Sequence, residues 1–117
     1  MAQYKPPNQT QWRIIWHPAA YKEFTKLKQP VRQEIRAVIH TLEQLGRLTL
    51  PDGKKLEGYD NCFEARLRKN GQHRLLYAYN ATAGVIVCLT VFNKKSQKTP
   101  PRYVQRAQKR MRKMYEN

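Results

Sequence analysis

Apolar and polar positions along the chain alternate with two different periods, and the change of period marks the elements. WRIIWH, Trp12 to His17, sets Trp12, Ile14 and Trp16 against Arg13, Ile15 and His17, the two-residue repeat of a strand with at least one buried face. Pro18 ends it, and a short helix is predicted from Ala19 to about Lys28, carrying Ala20, Phe24 and Leu27 on one side before Pro30 punctuates the chain. Val31, Ile35, Val38, Ile39, Leu42 and Leu45 then recur at helical steps, and Gly46 stands where a left-handed C-cap is needed. RLTLPDGKKLEGYDN reads as a loop because PDG and EGYDN are turn signals and no period survives.

Three strands follow in quick succession. In CFEARLR, Phe63, Ala65 and Leu67 oppose Glu64, Arg66 and Arg68; after the KNGQ turn, His73, Leu75, Tyr77 and Tyr79 oppose Arg74, Leu76 and Ala78. GVIVCLTVF is almost wholly apolar and β-branched, which suits a central strand. Thr99 and Pro100 read as an N-cap and first helical position, opening a last helix from about Pro101 to Met114 with Val104, Ala107, Met111 and Met114 on its apolar side. The predicted order is β-α-α-β-β-β-α, an α+β fold in which an antiparallel sheet has helices packed on one face and the other face open.

Length and charge narrow the picture. The chain has 117 residues, enough for a single domain over residues 1–117, with residues 1–11 expected to form a flexible N-terminal arm. Its 23 Lys and Arg against 8 Asp and Glu give a formal net charge of +15, which points to a polyanionic partner. No apolar run reaches the roughly 18 residues of a membrane span, and the start lacks a signal-peptide core, so a cytoplasmic protein without membrane attachment is expected. Cys62 and Cys88 show no CxxC spacing and read as reduced core residues. No Walker or Rossmann glycine pattern, catalytic triad or metal-ligand spacing can be assembled, so no cofactor or metal is expected.

The candidate chemistry lies in the basic residues. Strand pairing would place Arg66 and Arg74 on one face with Glu64, beside Lys94, Lys95 and Lys98 from the end of the last strand. Alone, Arg66 and Arg68 read equally well as solvated outward positions of a half-buried strand, and Lys94, Lys95 and Lys98 read better as a soluble loop whose charges discourage edge pairing. Arg74 is the exception, since an unpaired charge among apolar neighbours would be costly. Together they suit attack by a ribose 2′-hydroxyl on the adjacent phosphate. Arg66 and Arg74 would grip the phosphate oxygens, Glu64 or a lysine with a depressed pKa would accept a proton, and Lys94 or Lys95 would donate one. Arg68, Lys98, Arg102 and Arg106 would hold RNA, and Tyr103 would stack on a base or assist proton transfer.

LEGYDNCFEARLRKNGQHRLLYAY and VCLTVFNKKSQKTPPRYVQRAQKR resemble the hairpin and tail of the RelE/ParE toxin superfamily, in particular its phage-derived, HigB-like branch, over about residues 12 to 113. The resemblance implies a RelE-like fold and a toxin neutralised by a cognate antitoxin, often of helix-turn-helix type. In the RelE and HigB branches it implies an enzyme that enters the ribosomal A site and cuts mRNA without a metal. By position, Arg74 matches the arginine that contacts the scissile phosphate, Glu64 and Arg66 match active-face positions, and Lys94 and Lys95 match the basic residues closing the last strand; Tyr103 lies near a functional tyrosine of some members. Some relatives carry a lysine where this chain has Glu64, and others a histidine or tyrosine where it has Phe92 and Asn93, so the proton-transfer groups stay open. The ParE branch shares fold and tail but inhibits DNA gyrase, which leaves gyrase inhibition, or RNA binding without catalysis, as alternative functions.

Overall fold

The computed structural model describes residues 11–115; the arm expected over residues 1–11 lies, except for Gln11, outside the described residues. Strand β1 spans Arg13–Trp16, helix α1 Pro18–Thr25, helix α2 Gln29–Leu45, and strand β2 Gly53–Lys55. Strands β3 (Phe63–Leu67), β4 (His73–Asn80) and β5 (Val85–Asn93) follow, and helix α3 spans Pro101–Tyr115. They form an α+β fold with a five-stranded sheet in the order β1-β5-β4-β3-β2.

Alternation in β3 and β4 sorts two cores. Phe63, Ala65, Leu67, Leu75, Tyr77 and Tyr79 meet Phe24 of α1 and Val31, Ile35 and Leu42 of α2 on one face. Leu76 and Ala78 meet Val104 and Ala107 of α3 on the other, with Met111 and Met114 packed against them. Three expectations are corrected here. The helices do not share one face, because the apolar stripe of α3 finds its counterpart in the second side of the sheet. The sheet is not wholly antiparallel: β1 runs parallel to β5, an arrangement that the long α1–α2 crossover allows and that alternation alone does not encode. β2, inside the segment read as loop, pairs antiparallel with β3.

Local details follow from packing. Pro30 lies in the first turn of α2, where its missing N–H is harmless, and does not break the chain there. Gly46 takes φ +74° as the C-cap of α2, and a Cβ there would come within 2.5 Å of Trp12 Nε1, so both backbone and space demand glycine. Leu45, assigned to the α2 stripe, is exposed, the helix having rotated it away in its last turn. Opposite Leu76 and Tyr77 the β5 register shifts, with Leu76 facing Thr90 and Tyr77 facing Cys88. This irregularity turns Phe92 to the α3 side, whereas unbroken alternation would put it with Ile86 and Cys88.

β1 stops at the level of Cys88, and two side chains take over the edge of β5 beyond it. The Glu23 carboxylate accepts from Val91 N at 3.1 Å and from Thr90 Oγ1 at 2.9 Å, while Arg110 Nη1 donates to Leu89 O at 2.8 Å. Arg110 also grips Glu23 at 2.8 Å and 3.1 Å, tying α1, β5 and α3 together. Arg110 is therefore a structural residue and not part of a solvated helix face. Burial opposes ionisation of Glu23, but hydrogen bonds from Arg110, Val91 and Thr90 outweigh it and hold its pKa below the ordinary value. A depressed carboxylate stabilises fully above its unfolded pKa and loses that contribution as pH falls through the folded one. We expect Glu23→Gln to lower stability by about 2 kcal/mol at neutral pH and to flatten the loss of stability below pH ~4.5, measured by urea unfolding across an acid series.

Candidate phosphate-binding site

The register of β3 and β4 places Arg66 directly opposite Arg74, so both guanidinium groups leave the sheet on the α3 side. Glu64 is on the same face, one step back along β3, and only 2% exposed. Its Oε2 lies 3.6 Å from Arg66 Nε and 3.8 Å from Arg74 Nε, and neither Nε has a hydrogen-bond partner. The other carboxylate oxygen accepts from the Thr99 hydroxyl. Two like charges are thus held side by side by one buried carboxylate between them. α3 starts at Pro101 as expected, but the Thr99 hydroxyl read as its N-cap is turned to Glu64 instead.

Arg74 Nη1 donates to His73 O at 2.8 Å, which fixes the plane of the fork. Burial pulls the Arg74 pKa down, Glu64 pulls it up, and the guanidinium remains charged at any physiological pH. At the end of β5 the Lys94 N–H donates to Gln72 O at 2.8 Å, and its ammonium is held by Gln97 O. Partial burial, followed by the field of Arg74, lowers the Lys94 pKa; Arg66 and Lys54 act in the same direction and Glu64 opposes them. Lys54 was hidden in the apparent loop. Its register opposite Glu64 brings it to this face.

Gln72, Arg74, Lys94, Lys95, Ser96 and Gln97 line a concavity of about 430 Å³. A second, of about 300 Å³, shares Lys94, Lys95 and Ser96 and is completed by Asn93, Pro100, Arg102 and Tyr103. A larger cleft of about 510 Å³ lies between Tyr79, Met111 and Tyr115. Arg112 is the one charged residue among the described residues of its lining, so the clustered cations point to the smaller pair.

The remaining sequence-selected residues are distributed around this centre. Arg68 reaches Asp52 at 3.4 Å while still adding to the positive field at Arg74. Lys98 is exposed on the loop before α3. Tyr103 is stacked on Phe92 with centroids 3.8 Å apart, and the Arg102 and Arg106 guanidinium carbons lie 4.7 Å and 5.2 Å from its ring centre. Of the histidines, His17 caps α1 by accepting from Ala19 N at 3.0 Å, His40 is on the surface, and His73 points to the opposite face of the sheet. Both cysteines are buried free thiols, and burial pushes Cys62 up to about 11. Glu64, Arg66, Arg74 and Lys94 come together as expected. Lys54 and Thr99 are the additions that pairing and loop geometry supply.

The family model described as Phage derived protein Gp49-like (DUF891) matches residues 22–112, most of the chain and all of this cluster. The chain belongs to the Gp49-like family. Among solved structures, an arginine-substituted Escherichia coli toxin RelE in the free state is 22% identical, with TM-score 0.69 over 86% of this chain and 98% of that one. The archaeal RelE–RelB complex of Pyrococcus horikoshii OT3 is 25% identical, with TM-score 0.57 over 73% and 96%. The YoeB dimer of Staphylococcus aureus is 18% identical, with TM-score 0.55 over 72% and 98%. No curated protein matches the chain in sequence. The Gp49-like chain thus has the RelE/YoeB-type toxin fold that the hairpin and tail implied. Among the described residues, no helix is long and apolar enough to cross a membrane.

Proposed function

We propose that the protein is the toxin of a toxin–antitoxin pair and acts in the cytoplasm as a ribosome-dependent, metal-independent mRNA endonuclease. The observation that carries the proposal is the convergence of Arg66, Arg74 and Lys94 at a concavity, with both arginines oriented by a buried carboxylate. In the proposed reaction a ribose 2′-oxygen attacks the adjacent phosphorus and gives up its proton to a solvent water, the bond to the 5′-oxygen breaks, and that oxygen takes up a proton from the Lys94 ammonium. The products are a 2′,3′-cyclic phosphate and a 5′-hydroxyl. Arg74 and Arg66 stabilise charge on the non-bridging oxygens. Lys94, whose pKa is lowered, donates to the leaving oxygen. Lys95 adds charge at the rim, and Arg68, Lys98, Arg102, Tyr103 and Arg106 flank the RNA path.

Glu64 is assigned to orientation and not to proton acceptance, because its two oxygens are engaged by Thr99 and the two arginines. The partner that silences the toxin is a cognate antitoxin of helix-turn-helix type. An antitoxin is supported by the RelE–RelB complex of P. horikoshii among the similar structures.

The test is single-turnover cleavage of mRNA on programmed ribosomes. Cuts within ribosome-occupied codons support the proposal, whereas intact mRNA with gyrase-dependent DNA breaks would favour gyrase inhibition. The pH profile carries a further expectation. Deprotonation removes the Lys94 donor, so the rate falls as pH rises through a pKa below the ordinary 10.5 of lysine. Lys94→Arg should move that limb upward while slowing the reaction at neutral pH.

A further inference from the structure

The region from Asn93 to Tyr115 contains nine Lys and Arg and no Asp or Glu. Arg110 is consumed by Glu23 and Leu89 O, and Lys94, Lys95, Lys98 and Arg102 border the proposed phosphate site. The others continue along α3. Arg102, Arg106, Lys109 and Lys113 are all exposed and recur at i, i+4, i+7 and i+11, which aligns them in one stripe opposite Val104, Ala107 and Met111. The stripe runs roughly 16 Å along the helix and leads away from the cleavage cluster. Its acidic neighbour is Glu23, 3.7 Å from Arg106 and already bonded to Arg110.

Local physics does not favour this arrangement. Arg102 with Arg106, and Lys109 with Lys113, are like-charge pairs one turn apart, and no acid occupies the first turn of the helix to complement its dipole. A helix face built this way is stabilised by an external polyanion and by little within the chain. Its continuity with the concavity at Arg102 indicates which polyanion.

We propose that the outer stripe of α3 is a second RNA-binding surface, which grips the phosphate backbone of a structured, double-helical RNA segment beside the strand held at Arg74. This rests on the RNA reading of the site but does not require cleavage. A backbone footprint fits because the stripe is built from four cationic side chains, with Gln105 as the exposed amide beside them and the Tyr103 ring covered by Phe92, Arg102 and Arg106. Lys109 and Lys113 form its distal half and lie outside the cleavage cluster.

The test uses the full chain and a blunt RNA duplex of about 16 base pairs, with binding followed by fluorescence anisotropy from low to moderate salt. For Lys109→Ala/Lys113→Ala we expect the slope of log K against log salt to fall by about 1.5 and affinity to drop about 30-fold at ~0.1 M salt. The double variant should melt like the parent, since both side chains are exposed. Unchanged duplex affinity and slope would overturn the proposal. So would loss of binding to polyglutamate with duplex binding intact, which would assign the stripe to an acidic protein. Failure of the wild type to cut mRNA would overturn the nuclease reading without touching this one.

Discussion

Replacing Arg74 with alanine should reduce mRNA cleavage on the ribosome by about 10²- to 10³-fold, close to the loss of one preorganised charged donor to a developing oxyanion. That corresponds to about 3 kcal/mol of transition-state stabilisation. The size follows from the setting of the side chain: Arg74 is 6% exposed, its fork is fixed by His73 O, and it faces the concavity between Gln72 and Lys94. Arg74→Lys should recover only part of the rate, because an ammonium keeps the charge and loses the planar two-point grip. Glu64 retains Arg66 and Thr99 in either variant, so the fold should persist, as circular dichroism would show.

Glu64→Gln should act mainly on stability. Removing the carboxylate charge leaves the buried Arg74 and the half-buried Arg66 repelling each other, a loss of about 3 kcal/mol, or a fall in melting temperature on the order of 10 °C. Cleavage should fall with it as the two guanidinium groups separate. A general base would behave in the opposite way, with the isosteric amide abolishing the rate while the melting temperature stayed put. Thr99 gives a milder form of the same experiment. Thr99→Val removes the hydroxyl that holds Glu64 and should slow cleavage without altering the concavity's charge, whereas Thr99→Ser should restore it.

The parts of the molecule legible in its sequence were those set by local period. Phe63, Ala65 and Leu67 against Glu64 and Arg66, and Leu75, Tyr77 and Tyr79 against Arg74, sorted correctly onto the two faces of the sheet because side chains alternate whatever the strand pairs with. The stripes of α2 and α3 were equally plain except at Leu45, where the last turn of α2 carries the side chain outward. The features that escaped depend on residues far apart in the chain. β2 has only three residues and no apolar repeat, so Lys54 looked like part of a turn until its pairing with Glu64 placed it. Thr99 carried every mark of an N-cap, yet its hydroxyl found a buried carboxylate 35 residues away. Glu23 and Arg110, 87 residues apart, meet only because β1 ends early and leaves the β5 edge open. The shift in β5 that turns Phe92 toward Tyr103 is invisible in an unbroken apolar run.

These omissions bear on chemistry as well as architecture. Read as a strand position alone, Glu64 was a candidate base; its oxygens, once seen against Arg66, Arg74 and Thr99, support the orienting role proposed for it instead. The proton-transfer role proposed for Lys94 draws on a pKa lowered by burial first and then by Arg74, with Arg66 and Lys54 acting in the same direction.

The most direct test of the central claim is sequencing of RNA 5′ ends after brief induction of the wild-type protein and of Arg74→Ala. The account predicts new 5′-hydroxyl ends inside translated codons for the wild type and their disappearance in the variant. Wild-type ends indistinguishable from those of uninduced cells, or identical cutting by Arg74→Ala, would contradict it.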